Sequence, residues 1–483
     1  MKLLTSQQAK SLPIEDIRDT LSPITFKTTP LDHQARCMLW SLERSRIAYW
    51  LDVGTGKTLL ALYTAYLWDC NDVLVICPNS VIQTWIDQIE EHTDFSYTVL
   101  RGTADERGHK LARRNDISII NYEGLRVLWG KKVGNKYRLD MGAIDRSRFD
   151  AVIVDECHST KSPKSFRTRT AMELSRRAKH CIVMTGTPLT KDQRDLWSEM
   201  AVMDMGRSLG RNYWNFVRTY FRPAGFDWKL KKGSLEKILE KLKPNTIRYE
   251  REECFDLPER TYEQRRVYMT KEQTNLMASV VAQQANDDPD IAAWTNTDAL
   301  QCGNKLAQIS GGFMYGIDHK AKRLKTNPKL DELEGLFDEL TGKVIIYHHY
   351  AEEGRMIEGL LRRLKIPFCS ARGEIADKDE QIARFQKDKN VQVLVAHPSC
   401  GGEGINLQCA STMVFYSNGY HYALRVQAEG RIYRLGQKNR CLYIDIVADD
   451  GTGDGIDFRI LRSLKTKDDA ATAVLDYIRG KVR

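Results

Sequence analysis

Asp52-Val53-Gly54-Thr55-Gly56-Lys57-Thr58 is the stretch that decides the fold. It follows an apolar run, Ile47-Ala48-Tyr49-Trp50-Leu51, which reads as a buried strand. It opens into 59–68, Leu-Leu-Ala-Leu-Tyr-Thr-Ala-Tyr-Leu-Trp, whose spacing and helix-forming residues predict a helix. Strand, glycine turn and helix N-terminus in that order form a phosphate cradle. Gly54 and Gly56, on either side of Thr55, let backbone N–H groups turn inward, and the helix dipole favours an anion. Lys57 reaches the terminal phosphates and the Thr58 hydroxyl can hold Mg²⁺. The first glycine of the full pattern is missing, with Leu51 in its place. By itself the stretch implies only that a nucleoside triphosphate binds.

The rest of the 483-residue chain narrows the class. Its length suggests two to four domains. Hydrophobic content is 42% and charged content 28%, the balance of a soluble globular chain. No apolar run approaches the ~20 residues of a membrane span. The first residues lack the apolar core and cleavage site of a secretory signal, so a cytoplasmic setting is expected, either nucleoid-associated or as a viral protein in a host cell. The 11 cysteines are scattered singly, without a CxxC pair, which points away from structural zinc and a disulfide framework. Of the net charge of +9, most lies in 207–251, where 12 Lys/Arg face 4 Asp/Glu, a net of +8. Such a segment suits a polyanion; a solvated helix face is the alternative.

Short apolar strands are expected at 46–51, 73–77, 117–121, 151–155 and 181–185, with helical patterns between them. That is the rhythm of a parallel sheet covered on both faces. Residues 192–250 contain no strand-like run and carry many aromatics and the basic excess, so a helical insertion is expected there. A second α/β rhythm follows at 343–350, 366–370, 391–397, 412–417 and 441–447. The expected organisation is an N-terminal extension (1–27), a first lobe (28–200), a helical, partly basic insertion and linker region (201–335) and a second lobe (336–483).

Several constellations carry chemistry. Residues 151–158, Ala-Val-Ile-Val-Asp-Glu-Cys-His, are a strand ending in two carboxylates. Behind a phosphate cradle, Asp155 is placed to hold Mg²⁺ opposite Thr58, and Glu156 to orient and deprotonate a water. His158 either couples this site to the next motif or faces solvent. Residues 182–190 run from a strand into a turn with Thr185, Gly186, Thr187 and Pro188. Gln34 carries an amide able to read the edge of adenine, and is otherwise a surface residue. In 427–437, Gln-Ala-Glu-Gly-Arg-Ile-Tyr-Arg-Leu-Gly-Gln, Arg431 and Arg434 are three apart and predicted on one helix face. Guanidinium groups so placed can serve as arginine fingers.

Together these motifs resemble the helicase-like ATPases of superfamily two, in their Swi/Snf-type branch. The matching stretches are 31–34 (LDHQ), 52–58, 75–85 (VICPNSVIQTW), 119–125 (IINYEGL), 155–158 (DECH), 185–190 (TGTPLT), 343–350 (KVIIYHHY), 401–408 (GGEGINLQ) and 427–437. They follow the family order over about 28–440, and the missing first glycine is itself typical. The resemblance implies an α/β fold of two tandem RecA-like lobes with parallel sheets and helical insertions between them. It implies ATP and Mg²⁺ as cofactors, with Gln34 at adenine, Lys57 and Thr58 at phosphate and metal, Asp155 and Glu156 as metal ligand and general base, and Arg431 and Arg434 as fingers. Gln427 and Gly402 are expected at the nucleotide or between the lobes.

The same resemblance implies a DNA-dependent ATPase that translocates on double-stranded DNA, coupling hydrolysis to lobe closure, with forked or branched DNA as further substrates. Asn79, Ser80 and Trp85 are candidates along the DNA track, with core packing the alternative for Trp85. His397 and Pro398 depart from the small residues and hydroxyls usual before the second glycine motif. No accessory module is evident, so a bare motor of bacterial or viral kind is expected. The rival readings are a strand-separating helicase, the motor subunit of a restriction or defence complex, and an inactive nucleic-acid scaffold.

Overall fold

The computed structural model describes residues 4–186, 192–225, 227–287, 296–316, 318–400 and 405–466. The chain divides into two compact units after Asp256.

The first unit contains strands β1 (Arg46–Leu51), β2 (Val73–Cys77), β3 (Tyr97–Val99), β4 (Ile117–Asn121), β5 (Gly130–Val133), β6 (Lys136–Leu139), β7 (Ala151–Asp155), β8 (His180–Thr185), β9 (Phe221–Ala224), β10 (Asp227–Leu230) and β11 (Thr246–Tyr249). Seven of them form one parallel sheet in the order β11-β1-β8-β7-β2-β4-β3. β1, β2, β7 and β8 are buried along their whole length. Alternate residues feed two cores, because successive side chains leave a strand on opposite faces. Ile47, Tyr49, Val73 and Val75 pack on one side, with Trp40 and Trp85; Ala48, Trp50, Leu74, Val152 and Val154 pack on the other, with Trp129 and Phe216. Strands covered on both faces read as continuous apolar runs, which is why these four are visible in the sequence.

The second unit contains β12 (Arg260–Tyr268), β13 (Phe313–Tyr315), β14 (Ala321–Arg323), β15 (Val344–Tyr347), β16 (Phe368–Ala371), β17 (Val393–Ala396), β18 (Thr412–Phe415) and β19 (Cys441–Asp449). Six of these form a second parallel sheet, ordered β12-β19-β18-β15-β17-β16. The protein is thus an α/β chain of two parallel sheets in tandem.

Three expectations need correction. The stretch 192–250 is not strand-free: β9 and β10 form an antiparallel hairpin there, and β11 joins the first sheet beside β1. Residues 260–268, expected among helical linker material, form the nine-residue edge strand β12 of the second sheet. β12 was hidden because it sits at a sheet edge, where polar and charged residues are tolerated, and only its Val267 is buried; β9, β10 and β11 are each only four residues long and leave no extended apolar run. Finally, Arg431 and Arg434 do not lie on a helix. The helix Tyr422–Glu429 stops with Gly430 as its C-cap, and the arginines follow in turns. The Arg431 carbonyl accepts the Leu407 N–H at 2.9 Å, so the chain leaves the helical path to bond a distant segment.

Among the described residues no helix is long and apolar enough to cross a membrane. All eleven cysteines are free thiols.

Candidate nucleotide-binding site

The loop between β1 and the helix Lys57–Leu67 adopts the backbone that the two glycines permit. Gly54 and Gly56 have φ of 86° and 77°, in the left-handed region that other residues avoid. A side chain at Gly56 would also displace the Gln34 amide, which lies against it. Within the loop Thr55 Oγ1 donates to the Asp52 carbonyl at 2.7 Å. Lys57 Nζ donates to the carbonyls of Leu51 (2.9 Å) and Asp52 (3.2 Å).

Residues from three other parts of the unit hold this loop. His33 Nε2 lies 2.8 Å from the Thr55 carbonyl. Gln34, 2% exposed, donates from Nε2 to the Gly56 carbonyl at 3.1 Å and accepts the Leu31 N–H at 2.8 Å. The amide expected to read adenine is therefore engaged with backbone at both ends. Gly186 backs onto the loop: a Cβ there meets Val53 Cγ2 at 3.1 Å. Arg251, just after β11, donates from Nε to the Val53 carbonyl at 2.8 Å and from its backbone N–H to Asp52 Oδ2 at 3.2 Å. Sequence reasoning missed Arg251, because a lone arginine in a basic stretch carries no local signal of what it touches.

The two carboxylates stand at the end of β7, two strands from the loop. Asp155 accepts Trp85 Nε1–H at 3.0 Å on one oxygen and the Glu156 N–H at 2.9 Å on the other. Glu156 has φ 48°, a costly conformation for a residue with a side chain. Its Oε2 accepts the Thr185 hydroxyl at 3.1 Å and lies 3.2 Å from His158 Nδ1. Glu156 is thus the point where the ends of β7 and β8 meet, and His158 faces it rather than bulk solvent. Tyr122, from the 119–125 motif, donates to the Asp155 carbonyl at 2.6 Å.

Burial pushes the Asp155 carboxyl up to about 7, with the Glu156 charge adding and the Trp85 donor opposing. For Glu156 burial also acts upward, but the His158 contact, the Lys57 charge and the Thr185 hydroxyl outweigh it and hold the carboxyl below its usual range. One carboxylate is therefore ionised and buried beside another that resists ionisation. A divalent cation resolves that conflict by stabilising the second negative charge. Thr58, in the first turn of the helix, and Asp155 offer the hard oxygen donors that suit Mg²⁺. Among the described residues no group of three or more His, Cys, Asp or Glu is arranged to hold a metal by itself.

In the second unit Arg431 is only 6% exposed. Its guanidinium donates to the carbonyls of Cys400 (2.9 Å) and Pro398 (2.8 Å) and to the Tyr347 hydroxyl (3.1 Å). It thereby fastens the segment that carries His397 and Pro398. Arg434 is half-buried and donates to the Ile405 carbonyl at 3.4 Å. Gln427 is buried in the helix Tyr422–Glu429. Gly402, with the rest of 401–404, and Thr187 and Pro188, with the rest of 187–191, lie outside the described residues.

A family model described as the SNF2-related domain matches residues 27–323, and one described as the helicase conserved C-terminal domain matches 328–436. The chain belongs to the SNF2-related family. Its relatives include a Caenorhabditis elegans homologue of SWI/SNF-related matrix-associated actin-dependent regulator of chromatin subfamily A-like protein 1, 24% identical over 90% of this chain and 61% of that protein. Another is the Arabidopsis thaliana protein CHROMATIN REMODELING 19, 22% identical over 80% of this chain and 61% of that one. The chain spans about half the length of the curated relatives it matches, 50 to 61% for three of them. Among solved structures, the Sulfolobus solfataricus SWI2/SNF2 ATPase core in complex with dsDNA aligns over 95% of this chain and 96% of its own, at 21% identity and a TM-score of 0.43. The SNF2-related match spans most of the first α/β unit and continues into the second, and the helicase C-terminal match lies within the second.

Proposed function

We propose that this SNF2-related protein is a DNA-stimulated ATPase that translocates on double-stranded DNA and remodels DNA structures or protein–DNA complexes. The observation that carries the reading is the arrangement around Glu156: an ionised carboxylate held by Thr185 and His158, beside Asp155 and behind the Lys57 loop. That arrangement suits hydrolysis of a terminal phosphate, with Glu156 taking the proton of the attacking water. Gly54 to Thr58 present backbone N–H groups and a hydroxyl to the phosphates, and Lys57 exchanges its two carbonyl partners for phosphate oxygens. When bound, Mg²⁺ neutralises phosphate charge; Thr58 and Asp155 are the residues to hold it. Gln34, set against the loop, is the residue to sense adenine. Arg431 and Arg434, with Gln427 and Gly402, are the second unit's contribution to the hydrolytic cycle, which drives the units through closing and opening.

Duplex DNA is the proposed track, gripped through phosphates rather than bases, as the basic excess of 207–251 suits. Forked or branched DNA, and a site of action in the cytoplasm or on a nucleoid, belong to the same reading. The test is the ATPase rate with duplex, single-stranded, forked and RNA ligands in parallel, with triplex and strand displacement measured alongside. Stimulation by duplex DNA that disappears in Lys57→Ala and Glu156→Gln is expected. Equal stimulation by RNA and duplex DNA rejects the reading, and strand displacement without triplex displacement makes the protein an unwinding helicase instead.

A further inference from the structure

The first unit carries a two-stranded sheet that no motif of the family reading uses. β5 and β6 pair only with each other, outside the seven-stranded sheet, and their two-residue connection is Gly134-Asn135, with Gly134 at φ 59°. From Arg126 to Leu139 the chain has five basic residues and no acidic one. The register pairs Lys131 with Arg138 and Val133 with Lys136. In an antiparallel pair, residues opposite one another share a face, as do residues two apart. Lys131, Val133, Lys136 and Arg138 therefore form one face, and all four are exposed. On the opposite face Leu139 packs at the edge of a core cluster and the Arg126 guanidinium lies 5.1 Å from the Tyr137 ring centre, while Lys132 is exposed.

This cationic face is anomalous for a structural element. Like charges directly opposite in a strand pair destabilise it, and cross-strand Lys131–Arg138 is such a pair. Neither side chain, nor that of Lys132 or Lys136, makes a hydrogen bond or ion pair among the described residues. A hairpin kept cationic at a cost to its own pairing is best matched to an external polyanion. We infer that the hairpin Gly130–Leu139 is a second nucleic-acid grip, in which Lys131, Lys136 and Arg138 take phosphates of a DNA backbone. The inference rests on the DNA reading above and adds a contact surface to it.

Two variants test it, with a labelled DNA duplex as the probe over a range of salt concentrations. The triple variant Lys131→Gln/Lys136→Gln/Arg138→Gln should reduce the steepness of log affinity against log salt by about 2 to 3, because each phosphate contact contributes about 0.9. Arg138→Glu turns the like-charge pair into an opposite-charge pair. It should bind duplex more weakly than the parent while unfolding at an equal or higher temperature, a combination that misfolding does not produce. A salt slope and affinity equal to the parent's in both variants overturn the hairpin grip. Absence of DNA-stimulated ATPase in the unmodified protein rejects the DNA reading itself, and the two failures are thereby told apart.

Discussion

Trp85 Nε1 donates to Asp155 Oδ2 at 3.0 Å across the buried end of the first sheet. A tryptophan from the 75–85 motif, fully buried, thus props the carboxylate assigned to the metal. It is core packing and a positioning bond at once, whereas the sequence offered core or DNA track as alternatives. Because the bond stabilises the charged form of Asp155, Trp85→Phe should push that carboxyl further up. The acid limb of the pH dependence of ATPase kcat/KM should move to higher pH, and stability should fall by about 1–3 kcal/mol as a buried acceptor loses its donor. A pH profile unmoved in the variant would show that Asp155 does not limit the reaction.

Glu199 sits behind the same site, fully buried in the helix Asp195–Asp204. One of its oxygens lies 3.7 Å from Cys157 Sγ, and the other has no hydrogen-bond partner among the described residues. Burial pushes its carboxyl up to about 8. The folded state therefore binds a proton that the unfolded chain releases near its ordinary value, so Glu199 stabilises most at low pH and loses that contribution as pH rises toward 8. Glu199→Gln should be more stable than the parent at pH 8 by about 1–3 kcal/mol and show a flatter decline between about pH 5 and 8. Denaturant unfolding at a series of pH values measures both.

Arg251 links the phosphate loop to a strand edge 198 residues away through the Val53 carbonyl. Arg251→Ala should loosen the loop without touching the carboxylates. About a tenfold rise in the KM for ATP is expected, with kcat falling less, since misplacement of a binding loop acts first on affinity. Titration with a fluorescent nucleotide measures the same change directly, and unaltered affinity would remove Arg251 from the loop's support.

Arg431 and Arg434 should separate in behaviour. Arg431, buried against the carbonyls of Pro398 and Cys400, leaves those acceptors unsatisfied when removed, so Arg431→Ala should lower stability by about 2–4 kcal/mol as well as activity. Arg434→Ala should cost less stability and reduce DNA-stimulated kcat by about 10³-fold if it acts as a finger. Thermal unfolding and steady-state ATPase of the two variants, side by side, decide which arginine is mainly a brace.

The sequence by itself determined the α/β class, the inner strands of both sheets, the glycine turn after β1 and the carboxylate pair at the end of β7. These were legible because a strand buried on both faces must be apolar throughout, and because a phosphate turn needs glycine, lysine and threonine at fixed spacing. The tertiary structure alone decided the strands β3, β11 and β12, which are short or polar and whose strand state depends on the neighbour they pair with. It also decided where the long-range side chains point: Arg251 onto Val53, Thr185 onto Glu156, and Arg431 off its expected helix onto Pro398. The β5–β6 hairpin lies in a stretch expected to be helical, between the strands at 117–121 and 151–155, and its strands are too short and polar to signal themselves. That its like charges face one another is a fact of register, and register exists only once the strands have paired.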